Sequence, residues 1–322
     1  MTSATANDLL GGRVVDIGGI AVGLRALDLP RAEAMDFLRR LPIHRGTPAI
    51  SMLFTDRGPP HPPGPPDELH DELAVWREGE VIHLDWRGEF SVRASRSTID
   101  IGVRAAELFP VLSYLFPFTI AYSLAFHSRM VLRGGAIIRG KSAVMVLGDF
   151  GAGKSTTVLA ALKNGWGALS DDSVVLSTKG GRVHIGGIVK EFYVPPEALA
   201  ESDIAHPAPV DDRGRWILTG PEWSPGNYEL AGTVVVKHGG QKGSRLGHIG
   251  RSANLRAILE SFSANLPGGG EPAELRRVRQ LAGSAASLPA WELFLPVDPA
   301  VRIPGIARRL DTVAAKLNLA GS

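Results

Sequence analysis

Residues 142–164 read SAVMVLGDFGAGKSTTVLAALKN, and no other stretch limits the fold so sharply. SAVMVLG is almost wholly apolar, the pattern of a strand buried on both faces. STTVLAALKN sets Val158, Leu159 and Leu162 on one helical face, with Gly165 following as a C-cap. The loop between them, Gly148, Asp149, Phe150, Gly151, Ala152, Gly153, Lys154, Ser155 and Thr156, carries Gly-x-x-x-x-Gly-Lys-Ser spacing. Its glycines let backbone amides turn inward around phosphate oxygens, and the helix N-terminus adds partial positive charge. In that geometry Lys154 reaches the β- and γ-phosphates while the Ser155 hydroxyl meets Mg2+. These loop residues are therefore assigned to a nucleoside triphosphate, ATP with Mg2+.

GWGALSDDSVVL comes next. A short strand, 167–170, runs into Asp171 and Asp172, and a second apolar strand follows. Asp171 lies 17 positions beyond Lys154, room for one helix and a return strand. The return predicts both acids at the sheet edge that carries the phosphates. There one carboxylate can accept a proton from an attacking hydroxyl and the other can hold the metal. A solvated Asp-Asp-Ser turn is the plainer alternative.

Upstream, MVLRGGAIIRGKSAVMVLG holds two apolar runs, 130–138 and 142–147, joined by Arg139-Gly140-Lys141. This predicts a β-hairpin entering the loop, and so a mixed rather than an all-parallel sheet. The span from about 126 to 178 resembles the HPr kinase/phosphorylase family, which shares a core with ATP-dependent phosphoenolpyruvate carboxykinase. Hairpin, glycine loop ending Gly-Lys-Ser, helix and Asp-Asp match at similar intervals. The resemblance implies Asp171 as catalytic base, Lys154 as phosphate anchor, and Ser155 with Asp172 at the metal. Arg133, fifteen residues before Gly148, stands where that family places a histidine. Arginine stays charged and cannot exchange a proton near neutrality. It can stabilise phosphoryl charge or pair with Asp171, which keeps Arg133 among the catalytic candidates. The family's later Arg-Gly signature is missing from VHIGGIVKEFYVPP (183–196), which leaves Glu191 a weak metal candidate. The layout is more similar to stand-alone HPr-kinase-related proteins, including those that phosphorylate a terminal serine on lasso-peptide precursors.

The rest of the 322 residues frames this core. RVVDIGGIAVGLRALDL (13–29) reads as short strands broken by Gly-Gly, 31–41 as a helix, and 73–95 as an antiparallel meander. A β-rich N-terminal domain over 1–105 and a catalytic domain over 106–322 are expected. Six prolines within 57–68 predict a projecting loop or linker. Leu108–Phe126 is 19 residues without a charge, yet Pro110, Pro117 and several hydroxyls favour a buried helix over a membrane span. The N-terminus has no secretory pattern, and the absence of cysteine excludes disulfides and thiolate chemistry; both suit a cytoplasmic setting. Net charge is +2 without a basic arm, so a nucleic-acid partner is not expected. Nine scattered histidines offer no zinc spacing, and there is no Gly-x-Ser-x-Gly. Arg213, Arg215, Lys237 and Arg245 could reach phosphates, and 218–230 could be a substrate-facing loop.

The expected fold is α/β with a mixed sheet, a phosphoenolpyruvate carboxykinase-like, HPr kinase-like core behind a β-rich domain. The expected activity is transfer of the ATP γ-phosphoryl group to a Ser or Thr hydroxyl of a peptide or small protein. No stable membrane insertion is expected, and a homo-oligomer stays open. So do two other readings: a nucleotide-binding regulator without transfer chemistry, kept alive by Arg133, and a small-molecule kinase.

Overall fold

The computed structural model describes residues 13–27, 41, 43–56, 58–70, 73–103, 116–188, 192–194, 216–218, 226–239, 243–262, 273–296 and 299–319. The chain is mixed α/β, rich in strand, and divides into two units. One comprises Met1–Val131 with Ser263–Val278, the other Leu132–Phe262 with Arg279–Ser322.

In the first unit β1 (Arg13–Ile17), β2 (Ile20–Ala26), β3 (Ile50–Thr55), β4 (Glu68–His70), β5 (Leu73–Glu78), β6 (Val81–Trp86), β7 (Phe90–Ala94) and β8 (Thr98–Val103) make one sheet. Its order is β1-β2-β3-β8-β7-β6-β5-β4. The meander is where alternation predicts it: Phe90, Val92 and Ala94 are buried while Ser91 and Arg93 are not. Gly79 and Gly88 take positive φ at its two tight turns, and the Gly88 amide donates to Asp85 Oδ1 at 2.8 Å. The sheet is mixed because β3 runs parallel to both β2 and β8. Helix α1 (Phe116–Phe126) packs on β7 and β8 with Ile120, Ala121, Leu124 and Ala125 buried. Its hydroxyls are satisfied, Ser123 donating to the Ser95 carbonyl and Tyr122 to the Glu80 carbonyl. That half of Leu108–Phe126 is a buried helix; 108–115 lie outside the described residues, as does the expected helix at 31–41 apart from Leu41. Among the described residues no helix is long and apolar enough to cross a membrane.

The proline-rich stretch is held down rather than projecting. His61 stacks on Trp76 with ring centroids 4.7 Å apart, and Trp76 Nε1 donates to the Gly64 carbonyl at 3.2 Å. An extended segment has no internal hydrogen bonds, so an aromatic on β5 supplies the anchor that composition does not reveal.

The second sheet collects β9 (Met130–Arg133), β10 (Gly135–Arg139), β11 (Ser142–Leu147), β12 (Gly167–Ser170), β13 (Ser173–Lys179), β14 (Arg182–Gly187), β17 (Asn227–His238), β18 (Arg245–Ile249) and β19 (Ala290–Leu295). A separate pair is formed by β15 (Phe192–Val194) and β16 (Trp216–Leu218). The main path is β12-β10-β11-β17-β14-β13-β9, with β19 pairing the C-terminal half of β17 on the edge that β14 takes at its start, and β18 beyond β19. Helices are α2 (Lys154–Lys163), α3 (Arg251–Glu260), α4 (Ala273–Ala286) and α5 (Pro299–Lys316). α2 and α5 pack together, and Val158, Leu159, Ile306 and Leu310 share a core with Val144, Val146, Val234 and Leu293. Fully burying each such side chain contributes about 1.5–3 kcal/mol.

The mixed sheet is present, with β10 and β11 antiparallel and β11 and β17 parallel. The hairpin differs in one respect. Its first run, 130–138, is split at Gly134, so β9 leaves to the far edge of the sheet while β10 alone pairs with β11. A Cβ on Gly134 would come to 2.7 Å from Leu147 Cδ2 and 2.9 Å from the Val146 carbonyl oxygen. One on Gly135 would come to 2.9 Å from the Ser170 carbonyl oxygen and from Val158 Cγ2. The backbone can change strands here only because both residues lack side chains. Gly135→Ala is expected to lower stability by roughly 1–3 kcal/mol through overpacking. Gly283→Ala, in α4 where a Cβ meets nothing within 4 Å, is expected to be neutral or stabilising. Urea unfolding of both variants checks the contrast.

Candidate functional site

The loop leaves the end of β11 between an antiparallel and a parallel neighbour. Gly148, Gly151 and Gly153 have φ of 148°, 77° and 100°. A Cβ on Gly148 would come within 2.5 Å of the Val236 carbonyl oxygen, and one on Gly153 would run into Leu295 Cδ1. These two glycines therefore answer to the floor made by β17 and β19 as well as to the turn. α2 begins at Lys154 on Gly153, and no side chain caps it. Amides of an uncapped first turn aimed into a glycine loop can receive an anion.

Lys154 Nζ donates to the carbonyls of Gly148 at 2.9 Å and Asp149 at 3.0 Å, closing the loop on itself. Its pKa is held below the ordinary lysine value, chiefly by burial. Asp172 opposes that shift, Arg133 adds to it, and Asp149 and Asp171 oppose it. One ammonium thus feels both members of the acid pair and the arginine that ends β9. Ser155 Oγ donates to Asp171 Oδ2 at 3.3 Å. Asp171 is only 4% exposed, whereas Asp172 is exposed and accepts from Ser173 Oγ at 3.3 Å. The turn carrying them is tied to the strand switch, since the Gly134 amide donates to the Asp172 carbonyl at 2.8 Å.

Beside the loop lies a cleft of about 690 Å³, within the range of small-ligand sites. Gly148, Asp149, Phe150 and Lys154 of the loop line it, together with Arg133 and the α3 residues Ser252, Arg256 and Glu260. Lys237 also lines it, paired with Glu292. Phe150 is 87% exposed. His238, at the end of β17, contacts the Gly151 carbonyl through Nε2 at 2.6 Å.

Of the residues singled out in the sequence, the structure gathers the loop, Ser155, Arg133, Asp171 and Asp172. Arg245 is elsewhere, its guanidinium 4.8 Å from the centre of the Phe294 ring, and Glu191, Arg213 and Arg215 lie outside the described residues. Sequence reasoning missed His238, Arg256 and Glu260. The last two were findable: Asn254, Ile258 and Phe262 are buried at four-residue intervals, so the opposite face of α3 is turned outward. His238 carries no local signal.

Ser155 and Asp171 are hard oxygen donors in contact, the chemistry Mg2+ prefers. Among the described residues no group of three or more His, Asp or Glu side chains is placed to hold a metal ion alone. A cation that arrives on phosphate oxygens needs only one or two protein ligands.

No protein-family model matches the chain, and no curated protein matches it. Among solved structures it has a weak neighbour, the Hpr(Ser) kinase/phosphatase from Coxiella burnetii. The TM-score is 0.29 at 11% identity, over 58% of this chain and 98% of that one. Likeness at that level carries no functional argument, and the site rests on its own geometry.

Burial of Lys154 has a consequence for stability. Its folded pKa lies below the unfolded value near 10.5. Between the two values the unfolded chain binds more protons, so stability rises with pH through that window, and below it the cost of burying the charge is present in full. Lys154→Met is therefore expected to raise the nucleotide-free melting temperature at pH 7, with the advantage shrinking as pH approaches about 10.5. Thermal denaturation from pH 7 to 10 measures this, and a variant less stable than the parent at pH 7 would reject the burial account.

Proposed function

We propose that the chain is an ATP-dependent phosphotransferase that moves the γ-phosphoryl group to a Ser or Thr hydroxyl of a peptide or small protein. We further propose that the second unit is an HPr kinase-like, phosphoenolpyruvate carboxykinase-like core. One observation carries the reading: Ser155 touches Asp171 while Lys154 interacts electrostatically with Asp171, Asp172 and Arg133, all around one glycine loop. A lysine, a hydroxyl and two carboxylates gathered at a phosphate loop are the parts that phosphoryl transfer requires.

The loop amides from Gly148 to Thr156 receive the phosphates, and Lys154 exchanges its loop carbonyls for β- and γ-phosphate oxygens. Ser155 and Asp171 would hold Mg2+, which would supply neutralisation of phosphate charge. Asp172, exposed at the lysine, accepts the proton of the acceptor hydroxyl. The hydroxyl oxygen bonds to the γ-phosphorus, the bond from γ-phosphorus to the β-γ bridging oxygen breaks, and ADP leaves. Arg133 keeps a fixed positive charge beside the transferring group at any physiological pH. The family resemblance implies the opposite allotment, Asp171 as base and Asp172 at the metal; the Ser155 contact favours Asp171 at the metal and Asp172 as base.

Arg133 also favours a second reading, a nucleotide-binding regulator, because arginine cannot shuttle a proton where the resembling family has histidine. Two variants separate the possibilities. Asp172→Asn is expected to keep MgATP binding and lose transfer by about 10²–10⁴-fold. Asp171→Asn is expected to lower the affinity for Mg2+ in the nucleotide complex by roughly 10–100-fold. The reverse pattern would exchange the two roles. MgATP stabilisation with no labelled product across hydroxyl peptides would leave the regulator.

A further inference from the structure

The cleft extends past the glycine loop along α3, whose lining residues Ser252, Arg256 and Glu260 lie outside the loop. Of the loop, only Gly148, Asp149, Phe150 and Lys154 line it, which is the end where the lysine meets the γ-phosphate. Whatever occupies the α3 half would therefore sit next to the transferring group. This placement rests on the phosphotransfer reading above, but the chemistry of the wall can be read by itself.

Ser252, Arg256 and Glu260 follow one another at four-residue spacing on the exposed side of α3. They span eight helical steps of about 1.5 Å, about 12 Å in all, the length of roughly four residues of extended chain. Arg256 and Glu260 form no ion pair with each other or with another side chain among the described residues. Glu292 is already committed to Lys237, and Arg133, off α3, lies close enough to Lys154 to act on its charge. One cation and one anion are thus left along the wall, separated by about 6 Å of helix rise. In an extended peptide, side chains two residues apart point the same way and lie about 6.6 Å apart. Phe150, 87% exposed, lines the same cleft, as do Ile249, Ala253 and Ala257. An exposed phenylalanine on a glycine loop has no folding role here and offers an apolar side chain to a bound chain.

We infer that this wall is the acceptor subsite and that it takes an extended peptide presenting an acidic and a basic side chain at alternate positions. The acid meets Arg256, the base meets Glu260, and an apolar residue between them lies against Phe150. The length of the polar row from Ser252 to Glu260 favours a peptide over a small hydroxy acid, which would span a fraction of it.

The experiment uses the full chain with MgADP and fluorescently labelled serine peptides of three kinds: Asp-x-Lys, Lys-x-Asp, and the neutral Asn-x-Gln. Equilibrium binding is read by anisotropy. One charged order is expected to bind about tenfold more tightly than the other, as two modest exposed pairs become two repulsions. The double exchange Arg256→Glu with Glu260→Arg is expected to invert that order, and Phe150→Ser to weaken all three peptides. Equal binding of the three, no binding, or an order that survives the double exchange overturns the inference. So does displacement of the peptide by free serine, which would make the occupant a small molecule. A parallel incubation of the same peptides with MgATP reads transfer: charge order in binding without any phosphorylated peptide would defeat the phosphotransfer reading and leave this one standing, and phosphorylation with no charge order would do the reverse.

Discussion

The closeness of the glycine loop to the strands beneath it governs the rest of the site. β11 and β17 run parallel with Val146 opposite Val234 and Leu147 opposite Val235, so the next step of each chain brings Gly148 over Val236. β19, parallel to β17 on its other edge, puts Leu295 under Gly153. Neither glycine could bear a side chain without lifting the loop from this floor. The same register delivers Lys237 and His238 to the rim, one held by Glu292 and the other bracing the Gly151 carbonyl. A loop otherwise prone to many conformations is fixed from below by sheet geometry and from the side by Lys154 and His238.

The acids reach the loop by a different route. β12 returns antiparallel to β10, and its partner Ala136 lies just past the Gly134-Gly135 switch. Because the Gly134 amide bonds to the Asp172 carbonyl, the position of the acid pair and the departure of β9 are one structural event. Arg133 is carried by the last residue of β9, and its amide bonds to the Ser261 carbonyl at 2.7 Å. Two adjacent cations, Lys154 and Arg133, would repel in isolation. Asp171, Asp172 and Asp149 offset this, and a bound polyanion would offset it further.

What the sequence showed of this depended on whether the signal was local. The strand–loop–helix around Gly148 was legible because apolar run, glycine spacing and helical face are all written within about twenty residues. The meander at 73–95 was legible for the same reason, through strict alternation. The split of 130–138 was not, since Gly134-Gly135 in an apolar run looks like a weak point in one strand rather than an exchange between two edges. Nor did the sequence reveal β17 as the hub. Its partners begin at Ser142 and Ala290, and periodicity names a strand without naming its neighbours. Trp76 as the anchor of the proline-rich stretch escaped notice on the same grounds: its partners His61 and Gly64 are more than ten residues away.

The two walls of the cleft are built on separate supports. The loop wall is set by β11, β17 and β19, where a single added methylene meets backbone. The α3 wall is set by Asn254, Ile258 and Phe262 on the buried side, with Asn254 Nδ2 donating to the Ala286 carbonyl and Phe262 bridged to Leu132. The outward residues of α3 take no part in that support. Substitutions at Ser252, Arg256 and Glu260 are thus expected to disturb neither the core nor the glycine loop, so this wall can vary while the loop stays fixed.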